Sequence, residues 1–272
     1  MAEECEQNSI LVLGSGTSMG VPMVGCRCKV CLSTDPRDKR LRPSVLLKFG
    51  KKRILIDTAP DFRCQALRYG IERLNAILYT HSHADHILGL DDVRPFNFLQ
   101  KEDIPIYSSA ETLQAIRDTF SYVFSETPTE SSRPRLKPHI FDAEPFCAAG
   151  ITIHPIRVAH GKGTAHGFRF GDCAYLTDHS DIPDESLEKL TGLDVLFLDA
   201  LRHNPHPTHS TIEKSLRTVE KLQPKQAFFT HMSHDVMYAP TAARLPASVQ
   251  LAYDGLEIPI HPPLPLEECA AV

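Results

Sequence analysis

The sequence predicts one α/β domain made of two sheets packed face to face, with helices outside. Strand-like apolar runs and helical segments come in two successive batches along the chain, and four of the apolar runs end abruptly in a histidine or aspartate. A chain of 272 residues, 42% of them hydrophobic, is long enough to bury one large core. Lys and Arg number 29 against 34 Asp and Glu, a formal net charge of −5, and the basic residues form no long run. That balance argues against a nucleic-acid partner. No apolar stretch reaches the roughly 20 residues a membrane helix needs.

Taken in order, residues 10–13, 45–49 and 53–56 read as strands, the last two joined by the turn Gly50-Lys51-Lys52. Residues 59–69 read as a helix stopped by Gly70. The apolar spacing of Leu113, Ile116 and Phe120 predicts a second helix over 111–124. Residues 125–139 are polar and carry Pro128, Pro134 and Pro138, which predicts a surface insertion able to act as a flap. Helices are expected at 184–190 and at 211–222, the latter capped by Ser210 or Thr211. Runs 249–253 and 256–260 flank Asp254-Gly255, a hairpin signal. The domain is expected to end near residue 261, with a disordered Pro-rich tail over 262–272. The basic stretch from Arg37 to Arg42 is interrupted by Asp38 and reads as a solvated connection.

The densest chemical signal follows the apolar run Ala76-Ile-Leu-Tyr-Thr80. The next six residues, His81-Ser-His-Ala-Asp-His86, supply three imidazoles and a carboxylate, the preferred ligands of borderline divalent metals. Packing alone gives no reason to put four such side chains beside a hydrophobic strand. Three later runs also terminate in candidate ligands: residues 151–159 in His160, 173–177 in Asp178, and 227–230 in His231.

A second constellation is Gly25-Cys-Arg-Cys-Lys-Val-Cys31, within a loop spanning 25–32. Three thiols in a Cys-x-Cys-x-x-Cys arrangement can wrap a zinc ion, leaving a fourth ligand to come from a distant Cys or His. His234, three residues after His231, is one candidate. The acidic N-terminal segment lacks an apolar signal, so a reducing cytoplasm is expected, and zinc fits better there than disulfides.

The His-x-His-x-Asp-His pattern after a short strand resembles the metallo-β-lactamase superfamily. Together with Leu13-Gly-Ser-Gly-Thr-Ser-Met-Gly-Val-Pro22, the three-Cys loop and Thr230-His-Met-Ser-His234, it is similar to the PhnP-type cyclic phosphate phosphodiesterases over about residues 10–260. The resemblance implies a four-layer αββα sandwich. It implies a dinuclear centre in which His81, His83 and His160 hold one ion, Asp85, His86 and His231 the other, and Asp178 lies between, with the ions roughly 3.5–4 Å apart. Manganese or zinc, with iron as an alternative, would occupy it. By the same resemblance His234 completes a structural zinc site with Cys26, Cys28 and Cys31, and Asp57 buttresses the ligands. His209 lies where the family places a catalytic histidine, and a homodimer is implied. In the implied reaction Asp85 handles the nucleophile's proton, and an imidazole, assigned to His209, protonates the departing alkoxide. The segment from Arg202 to Ser210 departs from the family pattern, which leaves open whether the small-molecule phosphodiester substrate is a ribosyl 1,2-cyclic phosphate, a nucleotide cyclic phosphate or another diester.

Rival activities are weighed by the same residues. A flavo-di-iron oxidoreductase would carry Glu where His83 stands, and a class B β-lactamase Cys where Asp178 stands. A transfer-RNA 3′-processing nuclease shares the ligands, but neither a clamping arm nor a basic surface is evident. A glyoxalase-type thioesterase keeps all seven, and the three-Cys loop favours a phosphodiesterase over it. A non-catalytic metal-binding protein would be expected to have lost ligands. Arg94 and Asn97, just after the ligand motif, are candidates to face substrate, and His203 and His206 to orient a phosphate.

Overall fold

The structure is a computed structural model that describes residues 8–127 and 130–261. The tail expected to be disordered, 262–272, lies outside the described residues, as does Pro128. One sheet contains β1 (Ser9–Gly14), β2 (Ser44–Phe49), β3 (Lys52–Ile56), β4 (Ala76–Leu78), β5 (Ile104–Ser108) and β6 (Leu136–Ile140). The other contains β7 (Phe146–Ala148), β8 (Ile151–His160), β9 (Gly163–Phe170), β10 (Cys173–Leu176), β11 (Val195–Asp199), β12 (Gln226–Thr230) and β13 (Val249–Leu251), and β14 (Glu257–Pro259) returns to the first. The strand orders are β14-β1-β2-β3-β4-β5-β6 and β13-β12-β11-β10-β9-β8-β7.

The runs are apolar on both sides because each sheet is covered on both faces. In β1, Ile10 and Val12 enter the core between the sheets, where Val45, Ile56, Phe168, Tyr175, Phe197 and Phe228 meet them. Leu11 and Leu13 point the other way, into an outer layer beneath α1 (Phe62–Arg68), α2 (Ala84–Ile87), α3 (Arg94–Gln100), α4 (Ala110–Thr119) and α5 (Ser121–Phe124). A third layer, containing Leu196, Leu198 and Phe229, is covered by α6 (Asp184–Glu188), α7 (Ile212–Leu222) and α8 (Tyr238–Ala242). Helix, sheet, sheet, helix is the expected αββα order. Among the described residues, no helix is long and apolar enough to cross a membrane.

Five expectations are corrected, the last of them the basic stretch. The helix predicted over 111–124 is two helices, because Phe120 leaves helical geometry (φ −114°, ψ 44°) as its ring is buried in the outer core. The helix predicted from residue 59 begins at Phe62. Here Gly89 packs so closely that a Cβ would stand 2.0 Å from the Ala59 carbonyl oxygen. The polar insertion at 125–139 ends in strand β6, parallel to β5, with Pro138 tolerated on a sheet edge. Nor does Asp254-Gly255 close a hairpin, since β13 and β14 belong to different sheets. The buried Asp254 carboxylate accepts from Ser15 N and Oγ, both at 2.9 Å, and from Leu41 N at 2.7 Å, so the turn carries the chain across the sandwich. At the other end of the prediction, α7 matches closely: Thr211 is its N-cap, accepting from Lys214 N at 3.1 Å.

The basic stretch is a clasp rather than a solvated connection. Arg40 is 1% exposed, and its guanidinium donates to Ser233 O at 3.1 Å, Val236 O at 2.8 Å and Asp38 Oδ1 at 3.1 Å. Arg37 lies 4.1 Å over the Tyr238 ring. Lys39 donates to Cys31 O at 2.9 Å and Arg42 to Asp61 Oδ1 at 3.0 Å. Removing the buried guanidinium takes the cationic partner from Asp38 and the side-chain donor from Val236 O, while Ser233 O keeps only the Val236 N–H at 3.2 Å. Arg40→Met should therefore cost about 3–5 kcal/mol of stability in urea unfolding, and a loss under about 1 kcal/mol would show that the clasp is dispensable.

Candidate metal centre

Strands β3, β4, β10, β11 and β12 run parallel within their sheets, so their C-terminal ends reach one rim. Asp57, His81, Asp178, Asp199 and His231 stand at those ends. Asp57, Asp178 and His231 adopt left-handed backbone, with φ of 63°, 50° and 58°. Non-glycine residues pay for that conformation, and such strain concentrates where a side chain must be aimed at a site.

The structure brings all seven rim residues of the sequence analysis together. The ligand atoms of His81, His83 and His160 lie within 4.8 Å of one another, as do those of Asp85, His86, Asp178 and His231. Asp178 connects the groups. Its Oδ1 is 3.2 Å from His231 Nε2 and 3.9 Å from His81 Nε2, and its Oδ2 is 3.2 Å from His86 Nε2. Asp85 Oδ2 stands 3.3 Å from His86 Nε2 and 3.5 Å from His231 Nε2.

Buried Nε2 atoms of His81, His86 and His231 have no hydrogen-bond partner among the described residues. An orphaned buried donor or acceptor costs about 1–3 kcal/mol, and three converging on two carboxylates fit divalent cations. The electrostatics agree. Burial works to raise Asp85 and Asp178, but the surrounding imidazoles outweigh it and hold both carboxyls below their ordinary range. Burial keeps His81 and His160 neutral, whereas Asp178 and the other carboxylates outweigh burial to lift His86 and to push His231 up to about 9. Protons on His86 and His231 thus balance charge that a cation would balance in their place.

Partners on the far side of each ring set its orientation. Asp57 accepts from Thr80 N at 2.9 Å, Thr80 Oγ1 at 2.8 Å and His86 Nδ1 at 2.7 Å. Since the Thr80 hydroxyl donates to Asp57, it accepts from His81 Nδ1 at 3.0 Å, which frees His81 Nε2 for the rim. His160 Nδ1 donates to the Thr208 carbonyl at 2.8 Å. His209 does the same to Asp199 Oδ2 at 2.7 Å, with its ring stacked 4.8 Å from that of His231. Asp199, Thr80 and the Thr208 carbonyl were not singled out from sequence. Asp199 carried a readable signal, an apolar run ending in a carboxylate, as at Asp57 and Asp178.

Two other candidates, Asn97 and Arg94, stand elsewhere. Asn97 is buried, donating to Glu102 O and Arg135 O, both at 2.9 Å, and is a cross-brace rather than a substrate contact. Arg94 donates to Ser132 O at 3.0 Å. His206 lies beside His209, ring centroids 5.1 Å apart.

The three-Cys loop meets His234. Its Nδ1 is 3.3, 3.5 and 3.7 Å from the Sγ atoms of Cys26, Cys28 and Cys31. Edges of a tetrahedral zinc site with Zn–S of ~2.3 Å and Zn–N of ~2.0 Å come to about 3.6 Å. Backbone N–H groups of Cys28, Cys31 and Met23 each donate to a sulfur at 3.4 Å. The Cys31 N–H helps lower Cys28 to about 6, while burial raises Cys31 to about 11.

Fold and rim together have the arrangement of the metallo-β-lactamase class, and residues 52–232 match the family described as a beta-lactamase superfamily domain. A solved diphosphatase from the PhnP family is 49% identical with a TM-score of 0.89, covering 95% of this chain and 100% of that one. The chain therefore belongs to the PhnP family of that superfamily. Zn(2+)-bound PqqB from Methylobacterium extorquens shares the fold at 18% identity, with a TM-score of 0.76 over 93% of this chain and 100% of that one. An octanoyltransferase from Porphyromonas gingivalis is 41% identical over 251 residues, 91% of this chain and 50% of that protein. A ribonuclease Z from Bradyrhizobium diazoefficiens is 29% identical over 143 residues, 50% of this chain and 46% of that protein. The chain thus spans about half the length of these two relatives.

Because His234 is three residues from His231, the thiol loop is tied to the rim. Cys28→Ser should cost about one zinc per chain by elemental analysis and lower the melting temperature. Zinc content equal to that of the parent protein would show that the four residues do not form a metal site.

Proposed function

We propose that this hydrolase cleaves a small phosphodiester at two divalent cations. His81, His83 and His160 hold one, Asp85, His86 and His231 the other, and Asp178 is shared. Manganese or zinc suits the rim, with iron as an alternative, and Cys26, Cys28, Cys31 and His234 hold one structural zinc. The cations would supply Lewis acidity toward the phosphoryl oxygens and an acidified water.

The chain's own groups do the proton work. Asp85, a carboxylate at the rim beside His86 and His231, is placed to accept the nucleophile's proton or hold the water in line. His209 supplies the proton that the leaving alkoxide needs. With Nδ1–H donated to the buried Asp199, the ring is held in one orientation and its other nitrogen is left to carry the transferable proton. Asp199 thus acts through the His209 ring, as a positioning residue.

The observation that carries this reading is His209 itself, an imidazole beside the ligand cluster that neither three-histidine nor Asp-His set requires. The PhnP-family diphosphatase at 49% identity supports phosphoryl chemistry. The octanoyltransferase's named activity is not carried over, because the chain covers only half of that protein.

His209→Ala should slow hydrolysis of a dialkyl phosphodiester by about 10²–10⁴ while both rim metals are retained. The loss should shrink for a p-nitrophenyl ester, whose leaving group departs without a proton, and Asp199→Asn should follow the same pattern more weakly. Equal losses on both substrates, or loss of metal, would remove His209 from this role.

A further inference from the structure

A cleft of about 630 Å³ opens on the same rim, next to the metal centre. Ser109 directly follows β5, and Phe141 and Asp142 follow β6. As β4, β5 and β6 are parallel neighbours, these residues stand one and two strands along from His81. The opposite wall is Arg157 on β8 paired with His166 on β9, two residues from Phe168 and so on the face that enters the inter-sheet core. The two sites share a boundary: His166 N donates at 3.0 Å to the carbonyl of Thr80, the residue before His81.

The cleft's chemistry is uncommitted. Glu111, Glu185 and Arg157 line it, and among the described residues none of the three makes an ion pair or a side-chain hydrogen bond. Exposed charges nearby are engaged, as Lys214 is with Asp181 at 2.9 Å and Lys221 with Asp184 at 3.2 Å. Ile140, on the same cleft, is 62% exposed, an apolar surface with no cover, and Pro155 adds a second apolar element. The volume falls in the range of about 300–1,000 Å³ that small-molecule sites occupy.

We propose that this cleft reads the base of a nucleotide diester whose phosphate lies at the metal rim, with guanine as the best-fitting base. The inference rests on the phosphodiesterase reading. A carboxylate from Glu111 or Glu185 accepts from the N–H donors of the base edge, Arg157 donates to its carbonyl and ring-nitrogen acceptors, and Ile140 covers a face. Guanine alone among the common bases offers both a paired N–H edge for a carboxylate and the O6/N7 pair that suits arginine.

Three p-nitrophenyl phosphodiesters separate the contributions, carrying guanosine, ribose or methanol on the other side, each through its 5′ or only hydroxyl. All release p-nitrophenolate, so the reacting centre is the same. The guanosine ester should show a KM about tenfold below that of the ribose ester, the lower part of the range for one bidentate base contact. Arg157→Met, and the double variant Glu111→Gln/Glu185→Gln, should abolish that advantage and leave the methyl ester unchanged. Guanosine and ribose esters with equal KM, or variants that slow all three alike, would overturn the assignment. If the parent protein cleaves none of them, the phosphodiesterase reading fails, and the cleft is then judged by binding of free guanosine in saturation-transfer NMR. A signal abolished by Arg157→Met supports the base site, and no signal in the parent protein refutes it.

Discussion

The Asp57 carboxylate is the constraint on which the rim depends. It has no solvent exposure and sits at the end of β3, where it gathers Thr80 N, Thr80 Oγ1 and His86 Nδ1. Burial pushes its pKa above the ordinary carboxylate range, while the His86 charge and the Thr80 donors pull against that shift. Through these bonds one side chain joins two neighbouring strands to the first turn of α2. It also aims His86 directly and His81 through the Thr80 hydroxyl. A two-ligand geometry is thus set by a group that touches neither ligand's rim-facing nitrogen.

Around that point the protein concentrates features that destabilise an isolated domain: left-handed backbone at three aspartate or histidine positions, orphaned ring nitrogens, and carboxylates within 3.5 Å of one another's imidazole partners. The double-sided burial of both sheets supplies the compensating stability, and cation binding adds to it by linkage. Three of the left-handed non-glycine positions and the orphaned ring nitrogens of His81, His86 and His231 are therefore gathered at one edge of the sandwich, above largely apolar cores.

Much of this was legible in the sequence, for a physical reason. The candidate ligands either follow each other within one turn, as from His81 to His86, or stand where an apolar run stops, as at His160, Asp178 and His231. Both patterns are local. The thiol loop was readable for the same reason. What escaped was long-range. An Asp-Gly pair looks alike whether it turns a hairpin or crosses between sheets, and only the donors at Ser15 and Leu41 decide between them. Arg40 reads as one charge in a polar run until Ser233 and Val236 close over it. Strand β6 lies in a proline-bearing segment whose pairing with β5 has no local signature, and Asp199 acquires its role from His209, ten residues away.

The strands that border the two sheets share a property beyond their place in the order. β7, β13 and β14 are three residues long, and β6 and β14 carry Pro138 and Pro259. Short or proline-bearing borders offer few free amides in register, so they make poor templates for a further strand. The sandwich is in this sense self-terminating: its borders discourage the addition of a further strand to either sheet.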